Sequence, residues 1–253
     1  MAKLSFDNLS LRYEPFPIGI STPVMGASDY DEMVATFPAQ ELFVSLPKVG
    51  YKYVLSEKFN ERHYHDFLRS QPLWREFHRW IKSDDFIWTV MDALRVRHVD
   101  LGYGERLPLS RQLFKLLRGK RVHGKRKIGT HRLRSRFEFS MLPSGGGHVL
   151  PHTDVPSKII TLVVSIVRPG EWNPAYGGGT DVNRPKDPKQ TFNLLNRRAE
   201  FEEMEVLHTF DFEPNQAVLF IKTFNSWHSV RPMTGNGSNV MRRTLTINIE
   251  SAH

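Results

Sequence analysis

Pro151-His152-Thr153-Asp154 sets an imidazole and a carboxylate two positions apart, and the apolar run Ile159-Ile160-Thr161-Leu162-Val163-Val164-Ser165-Ile166-Val167 follows at once. In an extended segment, residues two apart project to the same side. A second histidine, His228 in Asn225-Ser226-Trp227-His228-Ser229-Val230, again follows a strand-like run, Ala217-Val218-Leu219-Phe220-Ile221. Two histidines and one aspartate on elements that can meet in a rolled sheet are the ligand set of a facial triad, which leaves metal positions open.

The surroundings read as β. Arg136-Phe137-Glu138-Phe139-Ser140-Met141 alternates and stops at Pro143-Ser144-Gly145-Gly146-Gly147. Gly177-Gly178-Gly179-Thr180-Asp181-Val182 predicts a turn into a strand, and Glu213-Pro214-Asn215 a turn between strands. Residues 183–204 are polar and read as an insertion or lid. In the last strand, Met241 to Ile249, Arg243, Leu245, Ile247 and Ile249 share an apolar face. Arg242, Thr244, Thr246 and Asn248 share a polar one, suited to a wet interior.

The first part of the chain reads differently. Residues 1–30 look like an irregular arm, with a short helix running to Phe37 and capped by Asp29 or Asp31. Short extended pieces follow at 41–56. Helices are expected from Ser56, from Pro72 in a first turn, and after the caps Ser83, Asp84 and Asp85. His63, His65 and His78 fall there and read as packing or surface residues. The expected organisation is one domain over 1–253. A helical and irregular covering region spans 1–134 with a basic loop at 111–136, and a β core spans 135–250.

The chain has 253 residues, 35 Lys plus Arg against 27 Asp plus Glu, and a formal charge of +8. Nine of those cations lie between Arg111 and Arg136 without one acidic residue. Such a block attracts anions, or is simply solvated. It lacks the interleaved aromatics of stacking nucleic-acid binders, which disfavours nucleic acid. No apolar run approaches the roughly 20 residues of a membrane helix. With no cysteine and no signal-type N-terminus, the expectation is a cytoplasmic protein without disulfides.

Pro151-His152-Thr153-Asp154, Gly177-Gly178-Gly179-Thr180, Trp227-His228-Ser229-Val230-Arg231-Pro232 and Arg242-Arg243-Thr244-Leu245-Thr246 occur in that order. Over about residues 135–250 the chain resembles the Fe(II)/2-oxoglutarate-dependent oxygenases, in the prolyl-hydroxylase-like branch. The resemblance implies a double-stranded β-helix (a jelly roll), mainly β with flanking helices. It implies Fe(II) held by His152, Asp154 and His228, with 2-oxoglutarate and O2 as cosubstrates. It implies that a C-terminal arginine, Arg242 or its rival Arg243 on the opposite face, grips the distal carboxylate with Thr244 as hydroxyl partner. The planar guanidinium suits that bidentate grip. The implied activity is hydroxylation of a C–H bond with release of succinate and CO2. Where many relatives carry a tyrosine before the metal motif, this chain has Phe139-Ser140-Met141-Leu142-Pro143.

Arg136, Lys158, Trp172, Asn225, Trp227 and Arg231 flank the motifs as candidate substrate contacts. With the basic block they favour an anionic small molecule, sugar or glycolipid-type substrate. The alternatives are a peptide hydroxylase of the prolyl type, oxidative demethylation of nucleic acid, and a non-catalytic jelly roll binding anionic glycan or a partner protein.

Overall fold

The computed structural model describes residues 2–103 and 133–251. The predicted basic loop falls outside the described residues as far as Arg132. Its last members, Arg134 and Arg136, stand in a strand.

Eight strands divide between two antiparallel sheets. β5 (Leu133–Pro143), β7 (Lys158–Ser165), β10 (Ala217–Ile221) and β12 (Met241–Ser251) form the centre of the larger sheet. β6 (Val149–His152), β8 (Thr180–Pro185), β9 (Met204–Phe210) and β11 (His228–Val230) form the smaller one, in the order β6-β11-β8-β9. The chain changes sheet at every step except from β8 to β9. A chain that crosses between facing sheets in this way is a double-stranded β-helix, as expected.

Four short strands widen the larger sheet to eight: β1 (Ser10–Arg12), β2 (Ile18–Ser21), β3 (Val44–Leu46) and β4 (Lys52–Leu55). The N-terminal arm is therefore not irregular throughout, because β2 pairs along β10. Three- and four-residue strands on a sheet edge are too short for a period to emerge from sequence. The first helix, α1 (Ala27–Ala35), is capped by Gly26 rather than by Asp29 or Asp31, and it stops short of Phe37. The next, α2 (Glu61–Ser70), begins after a turn at Ser56–Phe59 rather than at Ser56. Pro72 opens α3 (Pro72–Ile81) and Ser83 caps α4 (Asp84–Arg95), as predicted.

The alternation of β12 decides which way the sheet faces. Leu245, Ile247 and Ile249 turn outward with Phe137, Phe139, Ile160, Leu162, Val164 and Leu219. They join the helices in one apolar core. Trp74 of α3 anchors that contact: it is fully buried, its ring lies 5.0 Å from Phe139 and its Nε1 donates to Thr36 Oγ1 at 2.9 Å. The other face of β12 looks into the barrel, where Thr244 lies opposite Ser140 and Ser165, and Asn248 opposite Thr161. A smaller apolar cluster that includes Val182, Phe210 and Phe220 joins the two sheets inside.

His78, on α3, is half-buried against Phe137 and Tyr64. Its Nε2 has no hydrogen-bond partner, and Glu57 Oε1 is 3.9 Å away. Burial, with the nearby Lys82 charge, pushes its pKa down from 6.5 to about 4.

Two outcomes follow from this packing. Trp74→Ala is expected to lower the unfolding free energy by about 3–5 kcal/mol in urea titrations followed by circular dichroism, and a loss below about 1 kcal/mol would contradict its anchoring role. His78 is neutral when folded and takes up a proton on unfolding, so its contribution is complete above pH 6.5 and is lost as pH falls toward 4. His78→Leu should flatten the decline of stability across that interval, and an unchanged slope would refute the assignment.

Candidate metal centre

His152 ends β6 and His228 begins β11, and the two are directly paired across the antiparallel ladder. That register alone brings their rings to 4.3 Å between centroids. Asp154 lies past the end of β6. It takes a left-handed backbone, φ 67°, which aspartate tolerates better than most residues. The expectation that strand alternation aligns the two side chains is therefore corrected: the turn at Asp154, not an extended segment, delivers the carboxylate. His152 Nε2 and Asp154 Oδ1 are 3.5 Å apart. One ligand atom from each of His152, Asp154 and His228 lies within 4.8 Å of the other two. They form the one such group of three or more His, Asp or Glu side chains among the described residues.

The surrounding hydrogen bonds set the chemistry of the donors. His152 Nδ1 lies 2.9 Å from the Leu150 carbonyl and His228 Nδ1 lies 2.9 Å from the Ser226 carbonyl. A carbonyl only accepts, so both Nδ1 atoms carry the proton and both Nε2 atoms keep a lone pair for a metal. Burial pushes the His228 pKa down to about 3, so the ring is neutral at ordinary pH. Burial opposes the Asp154 charge. The Lys158 charge, with the two histidines beside it, outweighs that effect and holds the carboxyl well below the usual range. Lys158 Nζ donates to Asp154 Oδ1 at 2.6 Å and Thr161 Oγ1 donates to Oδ2 at 2.9 Å. Thr161 Oγ1 also lies 3.0 Å from the Asn248 side-chain oxygen. Two imidazoles with Nδ1 tied to a backbone carbonyl and Nε2 turned to the site, beside one carboxylate, suit a ferrous ion.

The triad opens on a cavity of about 130 Å³ inside the barrel, whose lining also includes Lys52, Ser140, Lys158, Arg242 and Thr244. Arg242 is buried, with its guanidinium over the Phe212 ring at 4.5 Å. Its Nε donates to the Gly178 carbonyl at 2.5 Å. Gly178 has φ +84°, and a Cβ there would come within 2.9 Å of the Trp172 ring and 3.3 Å of Arg242 Cδ. The glycine run thus lets the backbone press against the arginine. Burial pushes the Arg242 pKa down to about 10. Thr244 Oγ1 and Ser140 Oγ are 3.0 Å apart on neighbouring strands. Arg243 points to the other face, paired with Glu171 at 2.6 and 2.7 Å and set over Phe37.

The candidate substrate contacts disperse. Lys158 stands in the metal cavity. Trp227 and Arg231 line two separate clefts, where Trp227 donates to the Thr191 carbonyl and Arg231 pairs with Asp181 at 3.0 Å. Trp172 is buried and donates to the Gly177 carbonyl. Asn225 donates to the Pro15 carbonyl, and Arg136 pairs with Glu250 at 3.3 Å. Sequence reading passed over Thr161, Ser140 and Lys52. Thr161 did carry a signal, being the polar interruption near the start of the apolar run that follows the metal motif. Lys52, paired with Glu138 at 2.8 Å, carried none.

No protein-family model and no curated protein matches the chain. Solved structures similar to it include a prolyl-4-hydroxylase from Pseudomonas putida, 11% identical over 93% of this chain and 92% of that one, with a TM-score of 0.48. The epimerase SnoN in complex with Fe3+, alpha ketoglutarate and a nogalamycin compound is 12% identical over 93% and 79%, with a TM-score of 0.49. HygX from Streptomyces hygroscopicus, with nickel, 2-oxoglutarate and hygromycin B bound, is 10% identical over 92% and 82%, with a TM-score of 0.47. Likeness at this level does not fix activity or substrate, and the fold rests on the strand order itself.

Thr161→Val, which removes the donor to Asp154 Oδ2, should weaken Mn(II) binding about 10–100-fold in calorimetric titrations while the thermal transition stays in place. Undiminished affinity would refute a role for Thr161 in orienting the carboxylate.

Proposed function

We propose that this protein is an Fe(II)- and 2-oxoglutarate-dependent dioxygenase that hydroxylates a C–H bond of an anionic small-molecule, sugar or glycolipid-type substrate. The observation that carries the reading is the convergence of two imidazoles, their Nε2 lone pairs free, with one ionised carboxylate in a cavity also lined by a buried arginine. His152, Asp154 and His228 would hold the iron. With its Nε engaged by Gly178, Arg242 would present its terminal nitrogens to the distal carboxylate of 2-oxoglutarate, beside the hydroxyls of Thr244 and Ser140. Iron with 2-oxoglutarate and O2 supplies the oxidising power for C–H hydroxylation, with succinate and CO2 released.

The chain's own residues orient these groups. Thr161 and Lys158 fix the carboxylate, the carbonyls of Leu150 and Ser226 fix both imidazole tautomers, and Phe220 packs against the His228 ring at 4.3 Å. Strands, not loops, carry Arg242 and Thr244, which limits their freedom to move. Lys52 and Lys158 of the cavity lining are already paired with Glu138 and Asp154, so what supports an acidic substrate is the chain's formal charge of +8.

Adding 2-oxoglutarate to the anaerobic Fe(II) protein should produce a visible metal-to-ligand charge-transfer band. His228→Ala and Asp154→Ala should abolish it. Arg242→Ala should raise the 2-oxoglutarate concentration needed on the order of 100-fold, as expected for losing a buried charge partner, and Arg243→Ala should leave it unchanged. A wild-type protein that binds iron and shows no band would overturn the reading.

A further inference from the structure

Five of the large apolar side chains exposed among the described residues, Val155, Phe192, Leu194, Leu195 and Phe224, lie in three loops around the ligand turn. Hydrogen bonds tie these loops together. Asn193 N donates to the Phe224 carbonyl at 2.7 Å, and Thr153 Oγ1, next to Asp154, donates to the Asn193 carbonyl at 3.3 Å. The buried Asn193 side chain closes the tip: it donates to the Arg197 carbonyl at 2.7 Å and accepts from Arg197 N at 2.8 Å. Leu194 and Leu195, 58% and 73% exposed, are thus displayed by a built turn.

Cations accompany the apolar tip. Lys189, Arg197 and Arg198 share a cleft of about 400 Å³ with Phe192, Leu194 and Leu195. Lys222 Nζ stands 5.1 Å from the centre of the Phe224 ring. Glu203 is the carboxylate of that cleft, and its Oε2 already accepts from Glu200 N at 2.7 Å. Apolar side chains at a loop tip with cations beside them complement a bilayer interface, where acyl chains lie beneath anionic headgroups. Solvent-exposed apolar clusters of this kind mark contact surfaces.

We propose that this rim seats the protein on an anionic lipid bilayer, beside the turn that carries Asp154. That the bilayer also presents the substrate rests on the oxygenase reading; the surface itself does not.

The test uses the metal-free 253-residue chain in sedimentation with vesicles of phosphatidylcholine alone and of phosphatidylcholine mixed with phosphatidylglycerol. Binding to the mixed vesicles, weakening with salt, is expected. The double variant Leu194→Ser with Leu195→Ser should cut the partition coefficient at least about tenfold, and Phe192→Ser should act in the same direction. Arg197→Gln with Arg198→Gln should weaken binding roughly fivefold or more per cation, and on anionic vesicles only. Unchanged thermal transitions in the variants would show that the fold is intact. Absence of binding to the mixed vesicles, or binding unaffected by the leucine changes, overturns the proposal. So does a wild-type dimer that the leucine changes render monomeric, because a second copy would then cover the rim. Because no iron is present, failure here is separate from failure of the charge-transfer test.

Discussion

Strand β12 runs between β5 and β7 and has a different medium on each face. Its period of two puts Leu245, Ile247 and Ile249 against the helices and Arg242, Thr244 and Asn248 in the barrel. Slipping the register by one residue would exchange the faces, sending a leucine and two isoleucines inside and an arginine and an asparagine into the apolar core. Both errors are costly, so the hydrophobic core that stabilises the sheet also aims the polar groups at the metal centre. Stability and site geometry depend here on the same alternation.

That arrangement places charges in a poorly solvated interior, where an unpaired charge is expensive. The strands resolve this by pairing: Glu138 with Lys52, Glu250 with Arg136, and Asp154 with Lys158. Burial raises the Glu138 pKa, but the Lys52 charge and hydrogen bond outweigh it and the carboxyl stays below its usual range. Arg242 differs: among the described residues its contacts are the Gly178 carbonyl and the Phe212 face, neither of which is an anion.

The two sheets share the work unequally. The larger sheet supplies Arg242, Thr244, Ser140 and Thr161, fixed by long ladders, and Lys52 from the short strand β4. The smaller sheet supplies the two histidines through one paired register, and the turn beyond it supplies the aspartate in a left-handed backbone. The loops attached to the smaller sheet also bear the apolar rim, and the hydrogen bond from Thr153 to Asn193 joins that rim to the segment carrying Asp154.

Much of this was legible in the sequence. The two histidines each lay against an apolar run, the last strand displayed its two faces, and the caps of α3 and α4 followed local rules that need no distant partner. Other features depend on residues far apart in the chain. The edge strands β1 and β2 exist because β10 offers them a ladder, and Lys52 reaches the cavity because β4 pairs with β5. Local alternation would have aligned His152 with Asp154. The fold instead bends the chain at Asp154, and the carboxylate is held by Lys158 and Thr161. The sequence by itself determined which residues would be polar in an apolar setting and where strands would run. Strand alternation already set Arg242 and Arg243 on opposite faces; only the tertiary structure decided what each meets, Gly178 for Arg242 and Glu171 for Arg243, because those are contacts between elements some 70 residues apart.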